Sequence, residues 1–172
     1  QLTSGDRLTF TAPLGRFFVR KSAPDPIIFL AGGSGLSSPK SMILDLLETG
    51  DPREITLLYG ARTRAELYYS ELFASLAEAH PNFTYRAALS DEADDDAWDR
   101  PRGFVHELAV EHFGNRFQGH KAYLCGPPPM IDACVTTLMQ GRLFEEHIFM
   151  ESFLTAADDA APARRSALFK KF

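Results

Sequence analysis

The residues able to do chemistry in this chain lie where apolar, strand-like runs break into glycine or proline. The first run is Ala31-Gly32-Gly33-Ser34-Gly35-Leu36-Ser37-Ser38-Pro39-Lys40-Ser41-Met42. Its glycines can take positive φ and leave the backbone bare for a ligand. Ser37 and Ser38 suit a helix cap and Pro39 a first turn, while Met42, Ile43, Leu46 and Leu47 recur at helical spacing. Free N–H groups and the positive helix end then converge on one spot, an anion site suited to a nucleotide phosphate. The second run, Cys125-Gly126-Pro127-Pro128-Pro129-Met130, puts a thiol at a strand end. Three prolines stiffen the turn and Gly126 admits a ligand to the backbone, so the thiol is a small polar contact for a planar ring. A buried packing thiol fits the same residues. The third run, Tyr59-Gly60-Ala61-Arg62, ends in a guanidinium that suits a phosphate or an adenine face, or simply solvent.

Better-known patterns come close and fail. A Walker loop needs glycine before Lys40-Ser41, where Pro39 stands, and a nucleophile elbow needs glycine at Leu36. The dinucleotide pattern G-x-G-x-x-G begins at Gly33 and Gly35 but ends on Ser38. His106-Glu107 opens a zinc-protease pattern that Val110 closes off. The acidic run Asp91, Glu92, Asp94, Asp95, Asp96 around Trp98 reads as a solvated loop, and no metal site is expected.

These runs need elements to hold them. Strand-like text at 27–30, 55–59, 83–89, 122–125 and 148–150 alternates with helical text at 37–49, 70–80, 105–113 and 130–139. Alternation of this kind predicts an α/β fold, a five-stranded parallel doubly wound sheet with ligands at the carboxyl ends of its strands. Residues 6–20 alternate about a Pro13–Gly15 turn and suggest a piece of antiparallel sheet, followed by a turn-rich linker at 21–26. The chain has 172 residues, 45% of them hydrophobic, enough for one substantial core. A net charge of −5 argues against nucleic acid. Two cysteines make neither a disulfide framework nor a zinc set, which fits a cytoplasmic protein. No apolar run reaches the ~20 residues that span a bilayer, and none reads as a signal peptide. Opening at Gln1 on strand-like text, the sequence is expected to be part of a longer protein.

Taken together, AGGSGLSSPKSM, YGARTRAELY, YLCGPPPMI and FMESF resemble the ferredoxin–NADP reductase superfamily. Within it they are most similar to flavin and iron–sulfur reductase components of multicomponent bacterial oxygenases, the phenol hydroxylase type above all. The resemblance implies a division into 1–23, the end of an FAD-binding barrel with its P-x-G-x-F turn at Pro13, Gly15 and Phe17, then 24–153, an NAD(P)H-binding domain, and 154–172, a tail. It implies a cofactor-binding set of Gly33, Ser34, Gly35, Leu36, Ser37, Arg62, Ser90, Cys125, Gly126, Pro127, Pro128, Met130 and Phe153. The pyrophosphate would lie on Gly33 to Leu36, Arg62 on the adenosine side and Ser90 near the ribose. Cys125, Glu151 and Phe153 would form the reacting end, with Cys125 beside the nicotinamide and Phe153 over the flavin.

The implied protein carries hydride from NADH to FAD, and electrons through a 2Fe-2S cluster in a missing N-terminal part to an oxygenase hydroxylase component. NADPH is less favoured, because Asp91 and Glu92 follow Ser90 where a basic residue would meet a 2′-phosphate. The piece alone is expected to bind nucleotide and to hold no flavin firmly. Departures from the family's pattern are Ser38 at a place usually held by proline, no flavin-binding arginine–tyrosine–serine motif, no four-cysteine cluster pattern, and 19 residues beyond Phe153. Two other readings remain open: a non-redox dinucleotide sensor, and a flavin reductase serving another acceptor.

Overall fold

The computed structural model describes residues 3–9, 11, 15–91 and 101–152. Pro13, the acidic residues from Glu92 with Trp98, and everything from Phe153 onward lie outside the described residues. Five strands, β1 (Ile27–Gly32), β2 (Ile55–Ala61), β3 (Phe83–Leu89), β4 (Lys121–Gly126) and β5 (Ile148–Ser152), alternate with four helices, α1 (Ser37–Glu48), α2 (Ser70–Ala79), α3 (Val105–Phe113) and α4 (Pro128–Gln140). All neighbouring strands pair in parallel, in the order β3-β2-β1-β4-β5. The expected doubly wound sheet is therefore present.

Parallel strands buried on both faces need apolar residues at every position, and β1 has all six buried. Alternation then sorts them. Ile28 and Leu30, with Leu58, Leu124 and Ile148, pack under Val105, Leu108 and Ala109 of α3 and Ile131, Cys134, Val135 and Leu138 of α4. Ile27, Phe29 and Ala31, with Leu57, Tyr59 and Tyr123, pack under Ile43, Leu46 and Leu47 of α1 and Phe73 of α2. The order of strands reverses between β1 and β4. There the chain's two crossover directions part and leave a crevice at the carboxyl ends.

The antiparallel piece expected at the N-terminus is not shown. Among the described residues no strand forms before Ile27. A lone hairpin is marginal in water and needs further strands to complete it. Residues 17–23 lie instead on the α1–α2 face, with Val19 buried, Phe17 partly buried, and the Arg20 N–H donating to Tyr123 Oη at 2.9 Å.

A buried ion pair holds this segment down. Arg53 Nε and Nη2 donate to the two carboxylate oxygens of Asp51 at 2.8 and 2.7 Å, and Nη1 donates to the Ala23 and Arg20 carbonyls at 2.8 and 3.3 Å. The two side chains are only 7% and 12% exposed. The Arg53 guanidinium holds the Asp51 carboxyl below its ordinary value. A depressed carboxylate stabilises the fold above its unfolded pKa and loses that contribution as pH falls through the folded one. Arg53→Ala is expected to lower the unfolding free energy by about 3 kcal/mol near neutral pH, because Asp51 is left without its partner. Denaturant titrations also check the sign: wild type loses stability on acidification below the ordinary carboxylate pKa, and the variant loses less.

Candidate functional site

The glycine turn is tighter than the sequence suggests. Gly33–Leu36 forms one 3-10 turn that runs directly into α1. The Ser37 N–H bonds back to the Ser34 carbonyl, and Leu36 takes the cap position with no side-chain cap. Neither Ser37 nor Ser38 caps the helix, since the backbone of the short turn already serves the first donors. Only Gly33 of this turn takes the left-handed region, at φ 53°. Gly35 is required for another reason, because a Cβ there would fall on the Cys125 carbonyl. At Gly126 a Cβ would sit 2.8 Å from Met130 Cε and 3.3 Å from the Gly32 nitrogen. The turns after β1 and β4 thus lie backbone against backbone.

Tyr59 fixes the first of these turns from below. Its side chain is fully buried, and its hydroxyl lies 3.1 Å from the Gly33 carbonyl and 3.2 Å from that of Glu66, while accepting the Tyr68 N–H at 3.5 Å. Burial pushes the phenol up to about 12, so the hydroxyl keeps its proton and remains a donor.

Beside the turns a cavity of about 420 Å³ opens at the carboxyl ends of β1, β2 and β3. Gly33, Arg62, Ser90, Pro127 and Met130, all expected at a cofactor site, line it together. So do Phe104, Val105 and His106 at the start of α3, which the sequence reading did not place there. The Phe104 and His106 rings stack at 5.8 Å, and Phe104 is 59% exposed. Glu107 fixes this helix end by accepting the Phe104 N–H at 2.7 Å. The available signal was Gly103, at φ 114°, just before an aromatic residue opening an amphipathic helix. The first turns of α3 and α4 both border the cavity and bring it the positive ends of two helices. Arg62 pairs with Asp91 at 3.4 Å, both being largely exposed, a bond weak enough to leave the guanidinium for a ligand.

Cys125 and Glu151 occupy the other face. They are register partners on β4 and β5, and alternation turns them the way of Tyr123 and Phe149, toward α1. Cys125 is fully buried, its sulfur 4.0 Å from Glu151 Oε2. Burial, and next the Glu151 charge, push the thiol up to about 11. It is therefore a neutral thiol near pH 7, fit for contact and not for nucleophilic attack. Of the other expected residues, Ser34 and Ser37 are exposed on the turn, Gly35 and Leu36 are buried beneath it, and Gly126 and Pro128 shape the β4–α4 turn. Phe153 lies outside the described residues. Among the described residues no cluster of His, Cys, Asp and Glu could hold a metal ion, and no helix is long and apolar enough to cross a membrane.

A glycine cradle, a cavity at the switch point and two helix ends fit a dinucleotide, and comparison with known proteins agrees. Residues 29–136 match the oxidoreductase NAD-binding domain. The chain belongs to this family. As an NAD-binding oxidoreductase domain it is 63% identical over 171 residues to the reductase component of phenol 2-monooxygenase from Pseudomonas sp. (strain CF600), covering 99% of this chain and 48% of that protein. It is 59% identical over 170 residues to the phenol hydroxylase P5 protein of Acinetobacter pittii (strain PHEA-2), again covering 99% and 48%. The chain spans about half the length of these curated relatives. The crystal structure of the cytochrome P450 reductase GcoB from Amycolatopsis superposes with a TM-score of 0.74 at 32% identity, covering 83% of this chain and 42% of that one. The resemblance to ferredoxin–NADP reductase-type proteins is borne out.

The two glycines of the turn separate by experiment. Gly33→Ala meets open space and suffers only from its positive φ, an expected loss of about 1 kcal/mol. Gly35→Ala must push the two turns apart, with an expected loss of about 3 kcal/mol and of nucleotide binding. Denaturant unfolding with NADH titration of each variant checks the order.

Proposed function

We propose that the chain is the NADH-binding part of a reductase that moves electrons from NADH through FAD and an iron–sulfur centre to an oxygenase of the phenol hydroxylase type. The observation that carries the reading is the contact between the two turns at the switch point, which makes a backbone cradle beside a nucleotide-sized cavity. The likeness to the two phenol hydroxylase proteins over nearly the whole chain supports the oxygenase as electron acceptor. In this reading residues 1–23 belong to the preceding flavin-binding domain, 24–153 form the nicotinamide-dinucleotide domain, and 154–172 are a tail.

When bound, the nicotinamide supplies hydride, so that NADH and a proton with FAD give NAD⁺ and FADH₂. The chain's residues supply position and electrostatics. Backbone N–H groups of the Gly33–Leu36 turn, with Ser34 and Ser37 at its surface, receive the pyrophosphate. Arg62, Ser90 and the Phe104 ring hold the adenosine half in the cavity on the α3–α4 side. Gly126, Pro127 and Pro128 would carry the nicotinamide half toward the α1 side, where Cys125 would meet the ring as a neutral contact and Glu151 would lie toward the flavin. Met130 packs against Gly32 and Gly126 and keeps the passage narrow.

Asp91 lies beside Arg62 and makes the ribose end hostile to a second phosphate. Like charges near a surface repel by about 1 kcal/mol or more. In the complete flavoprotein NADH is expected to bleach the flavin with roughly fivefold or greater efficiency over NADPH. Asp91→Arg should move the ratio toward NADPH. Steady-state rates at low salt with both nucleotides decide it; no bleaching by either would leave the non-redox sensor as the better reading.

A further inference from the structure

Ser38 makes a contact that links the start of α1 to β5. It is the second residue of α1, yet its hydroxyl does not cap the helix. It donates instead to Glu151 Oε2 at 3.2 Å, a residue 113 positions away in the sequence. The same oxygen lies 4.0 Å from the Cys125 sulfur. Glu151 sits on β5, which is an edge strand, and a half-buried glutamate there has many rotamers open to it. The start of α1, by contrast, is fixed by Leu36 and Ile43 in the core. A hydroxyl on that fixed helix takes the freedom away from the carboxylate. The dinucleotide pattern would put glycine here, and glycine has no donor to give.

We propose that Ser38 is a positioning residue for hydride transfer, holding the Glu151 carboxylate beside the Cys125 thiol at the carboxyl ends of β4 and β5. The proposal rests on the reading that this end of the sheet receives the nicotinamide. A carboxylate held in one direction constrains a ring lying against the thiol, and such constraint acts on rate more than on affinity. The thiol's neutral state, maintained by burial and by Glu151 against a smaller lowering by the Ser38 hydroxyl, is consistent with a contact that does not exchange protons near pH 7.

The test uses the complete flavoprotein and stopped-flow bleaching of its flavin over a range of NADH concentrations. Ser38→Ala is expected to lower the limiting rate roughly tenfold with the dissociation constant within about threefold. Ser38→Thr, which keeps the hydroxyl, should recover most of that loss. Glu151→Ala with Ser38→Ala should be no slower than Glu151→Ala alone, because the serine acts through the carboxylate that Glu151→Ala removes. Ser38→Gly replaces the alanine variant if the latter does not fold. An unchanged limiting rate in the hydroxyl-free variant, or losses that simply multiply in the double variant, overturns the proposal. Failure of the wild-type flavin to bleach with NADH overturns the functional reading beneath it, and the two failures are thus told apart.

Discussion

The turn that leaves β1 and the turn that leaves β4 touch through their backbones, with Gly35 against the Cys125 carbonyl and Gly126 near the Gly32 nitrogen. A side chain at either contact would need the space that the other chain occupies. That approach is possible only because β1 and β4 are neighbours in register at the point where the winding reverses, Ala31 standing opposite Cys125. The crossovers after β1 and β4 leave toward opposite faces of the sheet and open a crevice at the strand ends. The cavity, the exposed Ser34 and Ser37, and the placing of Cys125 all depend on this one contact.

Its consequence is a site with two faces. The cavity belongs to the α3–α4 side, where Arg62, Ser90 and Phe104 gather, whereas Cys125 and Glu151 turn toward α1. An extended molecule crossing Gly126 and Pro127 would reach both. A compact ligand would reach one. The buried Asp51–Arg53 pair adds a constraint on the same molecule from outside, since it pins residues 20–23 to the face that carries Cys125. Ion pairs of this kind contribute little to net stability relative to an apolar core, whereas removing one partner is costly because it leaves the other charge buried alone.

Much of this was legible in the residues. β3 and α3 have the bounds that their apolar periods predict, 83–89 and 105–113, because glycine, proline or a switch of period marks each end. The order of the glycine and proline runs along the chain was enough to put Gly33, Arg62 and Pro127 at one end of the sheet, and the family resemblance added Ser90. What was hidden are the contacts that cross the sheet. Nothing near Ser38 announces Glu151, and a serine at the start of a helix reads as a cap until a 3-10 turn is seen to do that work. Phe104 carries no such mark in the sequence, and only the pairing of Arg102 with Leu89 brings the following residues to the end of β2, where Val105 packs on Gly60. The hairpin expected within residues 6–20 is not shown: no strand forms there among the described residues, and Pro13 of its turn lies outside them. Its pattern describes strands that need partners, and the described part of the chain contains none for them.

The central claim is that a dinucleotide lies across the joined turns. Backbone amide chemical shifts of the 172-residue chain, followed by NMR during titration with NADH, test it most directly. Large, saturable changes are expected at Gly33 to Leu36, at Ser90, at Phe104 and at Cys125, Gly126 and Met130, on both sides of the β1–β4 junction. Changes confined to one face, or centred away from these strand ends, would contradict it.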